Sequence, residues 1–270
     1  MINFFKHWDF IINPFESCAY NDYYFNSSSF DEAISRCQFS IDNNNSFLIT
    51  GKSGCGKTFF LHKLINDNII SENKFFYIQA GNFGIFDLLS SVCSELQIEV
   101  SSWYKIDVVR AIQNKLQHYE NELKSKCIII IDDANLLSKK VLNELNLLNN
   151  FINNTSVKLN LFLSGSPALK SYLQTPELSW LRHKMLLNTT LEYLDCFETR
   201  DYIDYCFDNV GLDADGIILE DGMEAVYKYS AGNFRLINNI MTCCLIICAI
   251  ENTHAITKDV VLKAKDETLI

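Results

Sequence analysis

Eight consecutive residues, Gly51, Lys52, Ser53, Gly54, Cys55, Gly56, Lys57 and Thr58, carry the clearest chemistry in this chain. They fit G-x-x-x-x-G-K-[ST], a phosphate-binding pattern when a strand precedes it and a helix follows. The three glycines let the backbone curl with its N–H groups pointing inward, as a cradle for phosphate oxygens. A helix opening near Lys57 adds its positive N-terminal end. Lys57 is then placed to reach the β- and γ-phosphates, and the Thr58 hydroxyl to ligate Mg2+. About 75 residues downstream, CIIIIDDAN (127–135) runs four isoleucines into Asp132 and Asp133. A buried strand of this kind delivers Asp132 to the carboxyl edge of a sheet, where its charge can hold hydrated magnesium. Asp133 would orient or deprotonate an attacking water. An ordinary polar turn accounts for two aspartates, but not for their position on an apolar strand after such a loop. Neither N-K-x-D nor T-K-x-D occurs, so the expected ligand is ATP rather than GTP.

The elements that must position these residues show in the apolar pattern. SFLIT (46–50), FFYIQ (75–79), CIIII (127–131), LNLFLS (159–164) and MLLNTTL (185–191) are short continuous runs, as in strands buried on both faces. Helical stretches separate them. In KKVLNELNLLNNFI (139–152), Val141, Leu145, Leu148 and Ile152 share one face. The alternation predicts an α/β protein, a parallel sheet covered by helices. Past Leu194 no strand pattern recurs. Segments 198–210, 220–230, 233–251 and 258–268 predict a second, all-helical domain, so that 1–194 forms the α/β domain and 195–270 the helical one. Asparagine runs at 43–45, 149–150 and 153–154 mark loops.

Composition excludes several alternatives. A net charge of −10 gives no general attraction for phosphate backbones or anionic lipid. The ten cysteines include no C-x-x-C pair and follow no secretory leader, which points to a reducing cytoplasm and thiols packed as small apolar groups. The most apolar stretch, MTCCLIICAI (241–250), has about half the length needed to span a bilayer, so no membrane insertion is expected. The five histidines lack zinc-ligand spacing, and S-G-S-P at 164–167 is not a hydrolase elbow. Cys55, at a helix N-terminus, could be an oxidisable thiol; a small residue at a variable loop position is the simpler reading.

With the motifs placed, the flanks resemble the ExeA/GspA type of AAA+ ATPases. The resemblance rests on HWDFIINPF (7–15), FDEAISRC (30–37), ANLLSKKVLNELNLLNNF after Asp133, LFLSGSPALKSYL (161–173), LEYLDCFETRDYIDYCFDNVGL (191–212) and YSAGNFRLINNI (229–240). The transposition ATPases of the TniB, MuB and TnsC type belong to the same branch. The resemblance implies a P-loop NTPase (AAA+) fold, a five-stranded parallel sheet in order 5-1-4-3-2 with a C-terminal helical lid. It further implies homo-oligomers with ATP at subunit boundaries. By position, Ser166 or Ser164 would be the polar sensor ending the fourth strand, and Arg235 the lid arginine reaching the γ-phosphate. A cation at a helix start is otherwise unfavourable, and Ser230 or Asn233 could cap that helix.

Three departures bear on function. The family has Asp-Glu where this chain has Asp132-Asp133, and a carboxylate one methylene shorter predicts slow hydrolysis. The family's trans-acting arginine aligns with Lys184, two residues after Arg182; as a finger, the planar guanidinium favours Arg182, while a solvated pair of surface cations is the simpler reading. Secretion-type members often continue into a transmembrane helix and a peptidoglycan-binding domain, which this sequence does not contain. The leading expectation is an ATP-driven oligomeric switch with protein partners in an envelope or secretion complex. A nucleic-acid-associated regulator of transposition or replication is the alternative, disfavoured by acidity and the lack of a Lys/Arg-rich stretch. A non-hydrolysing nucleotide-binding scaffold is the third reading.

Overall fold

The computed structural model describes residues 4–9, 11–16, 25–66, 73–100, 104–122, 125–148 and 160–268. Phe10, Ile152 and the asparagine runs at 149–150 and 153–154 lie outside these residues. The elements in chain order are α1 (Phe4–Trp8), α2 (Ser28–Asp42), β1 (Ser46–Gly51), α3 (Lys57–Asn66), β2 (Lys74–Gln79), α4 (Ile85–Glu95) and α5 (Lys105–Asn121). There follow β3 (Cys127–Asp132), α6 (Lys139–Glu144), β4 (Asn160–Gly165), α7 (Ala168–Leu173), α8 (Ser179–Lys184) and β5 (Met185–Leu191). The chain ends in α9 (Cys196–Asp208), α10 (Glu220–Ser230), α11 (Phe234–Glu251) and α12 (Lys258–Glu267). The contacts group these into two units: Ser29–Lys52 with Lys57–Leu191, and Met1–Ser28 with Ser53–Gly56 and Glu192–Ile270.

The first unit is built on a five-stranded parallel sheet in the order β2-β3-β4-β1-β5. This is the architecture and order that the family resemblance implied. Burial explains why the strands read as they do. Every residue of β1, β3 and β4 is buried, matching their continuous apolar runs, whereas the edge strands β2 and β5 alternate with exposed positions. Register sorts the side chains onto two faces. Tyr77 pairs with Ile130, Gln79 with Asp132, Ile130 with Phe162, and Ile49 with Ser164. Gln79, Asp132 and Ser164 therefore point to one face at the carboxyl ends of three neighbouring strands. The opposite face, with Phe76, Ile78, Ile129, Ile131, Leu161 and Leu163, packs into a core with Leu88 and Val92 of α4 and Val109, Ile112 and Leu116 of α5.

One expected helix is interrupted. Instead of one helix from 139 to 152, α6 ends at Glu144, where the Leu145 N–H bonds back to Leu142 O at 3.3 Å and tightens the last turn. Val141, Leu145 and Leu148 still reach the core, as their spacing requires.

The second unit is helical, and its core corrects two expectations. Trp8 and Phe15 are buried in it with Ile203, Phe207, Ile237 and Leu245, so the described N-terminal residues group here rather than with the sheet. Trp8 Nε1 donates to Leu245 O at 3.0 Å and Asn13 Nδ2 to Thr242 Oγ1 at 3.0 Å. The second correction concerns α11. It runs 18 residues with a mean hydropathy of 1.6, long and apolar enough by those measures to cross a membrane, which the shorter 241–250 reading missed. Ile237, Ile240, Met241, Cys244, Leu245 and Cys248 on it are buried against the other helices of this unit. Its apolarity serves a core on that face.

The turn from α10 into α11 depends on one glycine. Gly232 has φ +75°, and a Cβ there would lie 1.8 Å from Leu194 O, while Leu194 N donates to Gly232 O at 3.0 Å. Backbone therefore meets backbone, and no side-chain movement relieves the overlap. Gly232→Ala is expected to destabilise the protein by about 2 kcal/mol or more, read as a lowered denaturant midpoint. A midpoint within error of wild type would show that this junction is looser than its geometry.

Candidate functional site

The residues of the sheet unit converge at the N-terminus of α3. Lys57 is 9% exposed, and its Nζ donates to Gly51 O and Lys52 O, both at 2.9 Å. Thr58 Oγ1 donates to Asp132 Oδ2 at 2.7 Å, joining the start of α3 to the end of β3. Asp132 has no solvent exposure, and its Oδ1 accepts the Asp133 N–H at 2.9 Å. Two residues absent from the sequence reading complete this cluster. The Tyr77 hydroxyl lies 3.1 Å from Asp132 Oδ2 and 2.6 Å from Gln79 Oε1, and Gln79 Nε2 donates to Asp133 Oδ2 at 2.8 Å. The alternation of Tyr77 and Gln79 at the end of β2 was a signal, legible only once β2 is known to lie beside β3.

Asp133 follows the strand in the left-handed region, φ +51° and ψ +37°. Asp tolerates this region better than longer or branched side chains. The turn thus supplies a local reason for the shorter carboxylate at this position.

Ser164 and Ser166 occupy different surroundings. Ser166 is half-buried beyond β4, its N–H donated to Asn135 Oδ1 at 2.6 Å. Ser164 is fully buried on the same face as Asp132, and its Oγ has no hydrogen-bond partner among the described residues. Arg182 is exposed in the last turn of α8, just before β5, and lies outside the hydrogen-bonded cluster.

In the helical unit, the loop crest Ser53–Gly56 is held by side chains from the α10–α11 turn and from Tyr193. Asn233 caps α11, accepting from Arg235 N at 3.0 Å and Leu236 N at 3.3 Å, and its Nδ2 donates to Ser53 O at 3.0 Å. Arg235 donates to Ser53 Oγ at 3.1 Å, and the Tyr193 hydroxyl to Ser53 O at 2.9 Å. Gly54 has φ +79°, and a Cβ there would lie 2.2 Å from Asn233 Oδ1. Only glycine fits that crest. Ser230, the other cap considered, accepts instead from Gly232 N at 3.3 Å.

Cys55 is buried, so the packing reading of this residue has the better physical support. Elsewhere burial pushes the Cys37, Cys93 and Cys244 thiols up, and the Cys243 thiol is pushed up to about 11 by burial and its bond to Glu267.

This arrangement suits a polyphosphate with a hard divalent cation. A positive-φ glycine crest and an ammonium at a helix N-terminus offer donors to an anion. A hydroxyl and a carboxylate 2.7 Å apart offer oxygen ligands of the kind magnesium takes.

Comparison with known proteins agrees. Residues 41–173 match the family model described as AAA domain. General secretion pathway protein A of Aeromonas hydrophila is 26% identical over 250 residues, covering 90% of this chain and 44% of that protein. The chain thus spans less than half the length of that curated relative. Among solved structures, Cdc6p from Pyrobaculum aerophilum superposes with a TM-score of 0.73 at 14% identity, over 93% of this chain and 71% of that one. The Aeropyrum pernix ORC2 protein in its ADP form gives 0.70 at 14% identity, covering 94% and 72%. The Thermotoga maritima RuvB Holliday junction branch migration motor gives 0.59 at 16%, covering 90% and 69%. At these identities the structures establish the fold alone, an α/β P-loop NTPase fold with a five-stranded parallel sheet and a helical C-terminal region.

Ser164 gives this site a measurable signature. A buried hydroxyl without a partner costs about 1–3 kcal/mol, so Ser164→Ala is expected to raise the denaturant midpoint. Ser166→Ala, on a half-buried loop residue, is expected to leave it nearly unchanged. A Ser164→Ala variant less stable than wild type would show that the hydroxyl is satisfied.

Proposed function

We propose that this chain, which carries an AAA domain and resembles the ExeA/GspA type of AAA+ ATPases, binds ATP with magnesium and hydrolyses it slowly as an oligomeric switch. The observation that carries the reading is the 2.7 Å contact of Thr58 Oγ1 with the fully buried Asp132, beside the Lys57 ammonium at the start of α3. In this reading the backbone N–H groups of Gly51–Thr58 cradle the phosphates. Lys57 trades its two carbonyl partners for β- and γ-phosphate oxygens. Thr58 and Asp132 would hold magnesium, whose positive charge would offset the negative charge developing on the phosphates. Asp133 polarises the attacking water, with Gln79 fixing its carboxylate. Arg235, already at the loop crest through Ser53, reaches the γ-phosphate, and Ser164 or Ser166 senses it. Arg182 supplies the trans arginine of a neighbouring subunit.

The secretion context is supported by the similarity to general secretion pathway protein A, and we place the chain at the cytoplasmic side of such an assembly with protein partners. A DNA-associated role has in its favour the fold likeness to the Aeropyrum pernix ORC1 protein, solved in complex with DNA. The net charge of −10 opposes it.

Calorimetry tests the site. Lys57→Ala is expected to lose about 100-fold in MgATP affinity, the worth of one or two charge-assisted hydrogen bonds. Asp133→Asn should keep the affinity and lose turnover, because water activation matters only in the transition state. Unchanged binding by Lys57→Ala overturns the phosphate-loop assignment; full turnover by Asp133→Asn removes that aspartate from the chemistry. Light scattering with a slowly hydrolysed ATP analogue is expected to show a larger species than without nucleotide. A monomer at saturated sites would count against both the oligomeric switch and Arg182.

A further inference from the structure

The Asp132 carboxylate receives more donors than its own strand and loop supply. Oδ1 takes the Asp133 N–H at 2.9 Å. Oδ2 lies within reach of two hydroxyls, Thr58 at 2.7 Å and Tyr77 at 3.1 Å. Tyr77 comes from β2, whose register sets Gln79 opposite Asp132 and Tyr77 opposite Ile130, so the phenol reaches across from the neighbouring strand. Its ring is half-buried and packs against His62 of α3, centroids 4.8 Å apart. The hydroxyl has one proton and a second acceptor, Gln79 Oε1 at 2.6 Å.

Resting on the ATP–magnesium reading, we infer that Tyr77 is a positioning residue for the metal-binding carboxylate. A carboxylate oxygen has about two acceptor directions. With one direction of Oδ2 facing Tyr77, the direction left to a cation is the one that Thr58 occupies. Thr58 can turn its lone pair to the same cation, whereas a phenol proton cannot serve as a ligand. The tyrosine therefore aims Asp132 towards the loop and stops it rotating about its last torsion. Outer partners of this kind, bonded to a metal ligand and not to the metal, typically set affinity by about 10–100-fold.

The test separates metal from nucleotide. Tyr77→Phe keeps the ring against His62 and removes only the hydroxyl. Binding of ATP is measured by calorimetry in excess chelator and again across a magnesium titration, for wild type and variant. The expected result is equal affinity for metal-free ATP, with about tenfold more magnesium needed for half of the metal-dependent gain. The thermal unfolding midpoint without ligand should fall modestly, because a buried carboxylate loses one of its donors. A magnesium dependence identical to wild type overturns the role of Tyr77 while leaving the site reading intact. Loss of metal-free ATP binding in the variant also overturns it, since the hydroxyl would then act on the loop itself. A wild-type chain that binds no ATP under either condition overturns the nucleotide reading on which this inference rests.

Discussion

A carboxylate with no solvent exposure must be surrounded by donors or neutralised, and at Asp132 those donors come from three separate segments. The Asp133 N–H follows in sequence, the Thr58 hydroxyl comes from the first turn of α3, and the Tyr77 hydroxyl from the adjoining strand. The buried charge therefore requires that β3 end level with the start of α3 and that β2 lie in register beside it. Central strands of unbroken Ile, Leu and Phe bring the aspartate to that depth. A polar residue among them would compete for the donors. The apolar sheet and the buried charge are thus one design: the first creates the low-dielectric setting in which the second needs specified partners.

Strand parity extends the arrangement sideways. Gln79, Asp132 and Ser164 share a face because β2, β3 and β4 run parallel with matched register. A single-residue slip in any of the three would send its polar side chain to the opposite core. Ser164, buried without a partner among the described residues, is a cost that folding alone does not repay. A ligand group beside it could.

What the sequence made legible was what chain neighbours decide. The phosphate loop and the Ile-Ile-Ile-Ile-Asp strand are continuous in sequence, so residue type and order were enough to find them, and β5 was read to the residue because its apolar run is bounded on both sides. Tyr77 and Gln79 were invisible because their significance comes from a partner strand about 50 residues away. The membership of Trp8 and Phe15 in the helical core was hidden likewise, since their aromatic stretch does not say by itself which partner elements it packs against. The break after Glu144 escaped notice because apolar spacing continues through it, and spacing reports a buried face rather than an unbroken helix.

Two cations sit where helix electrostatics disfavour them. Lys57 opens α3 and Arg235 lies in the first turn of α11, each facing the positive end of its own helix, a misfit of about 0.3–1 kcal/mol apiece. The carbonyls on Lys57 and the Ser53 hydroxyl on Arg235 carry only partial charge. Capping by Asn233 satisfies backbone N–H groups of α11 but adds no negative charge. A polyphosphate on the loop, as proposed, would reverse the sign of the Lys57 contribution, because helix end and ammonium would then face the same anion.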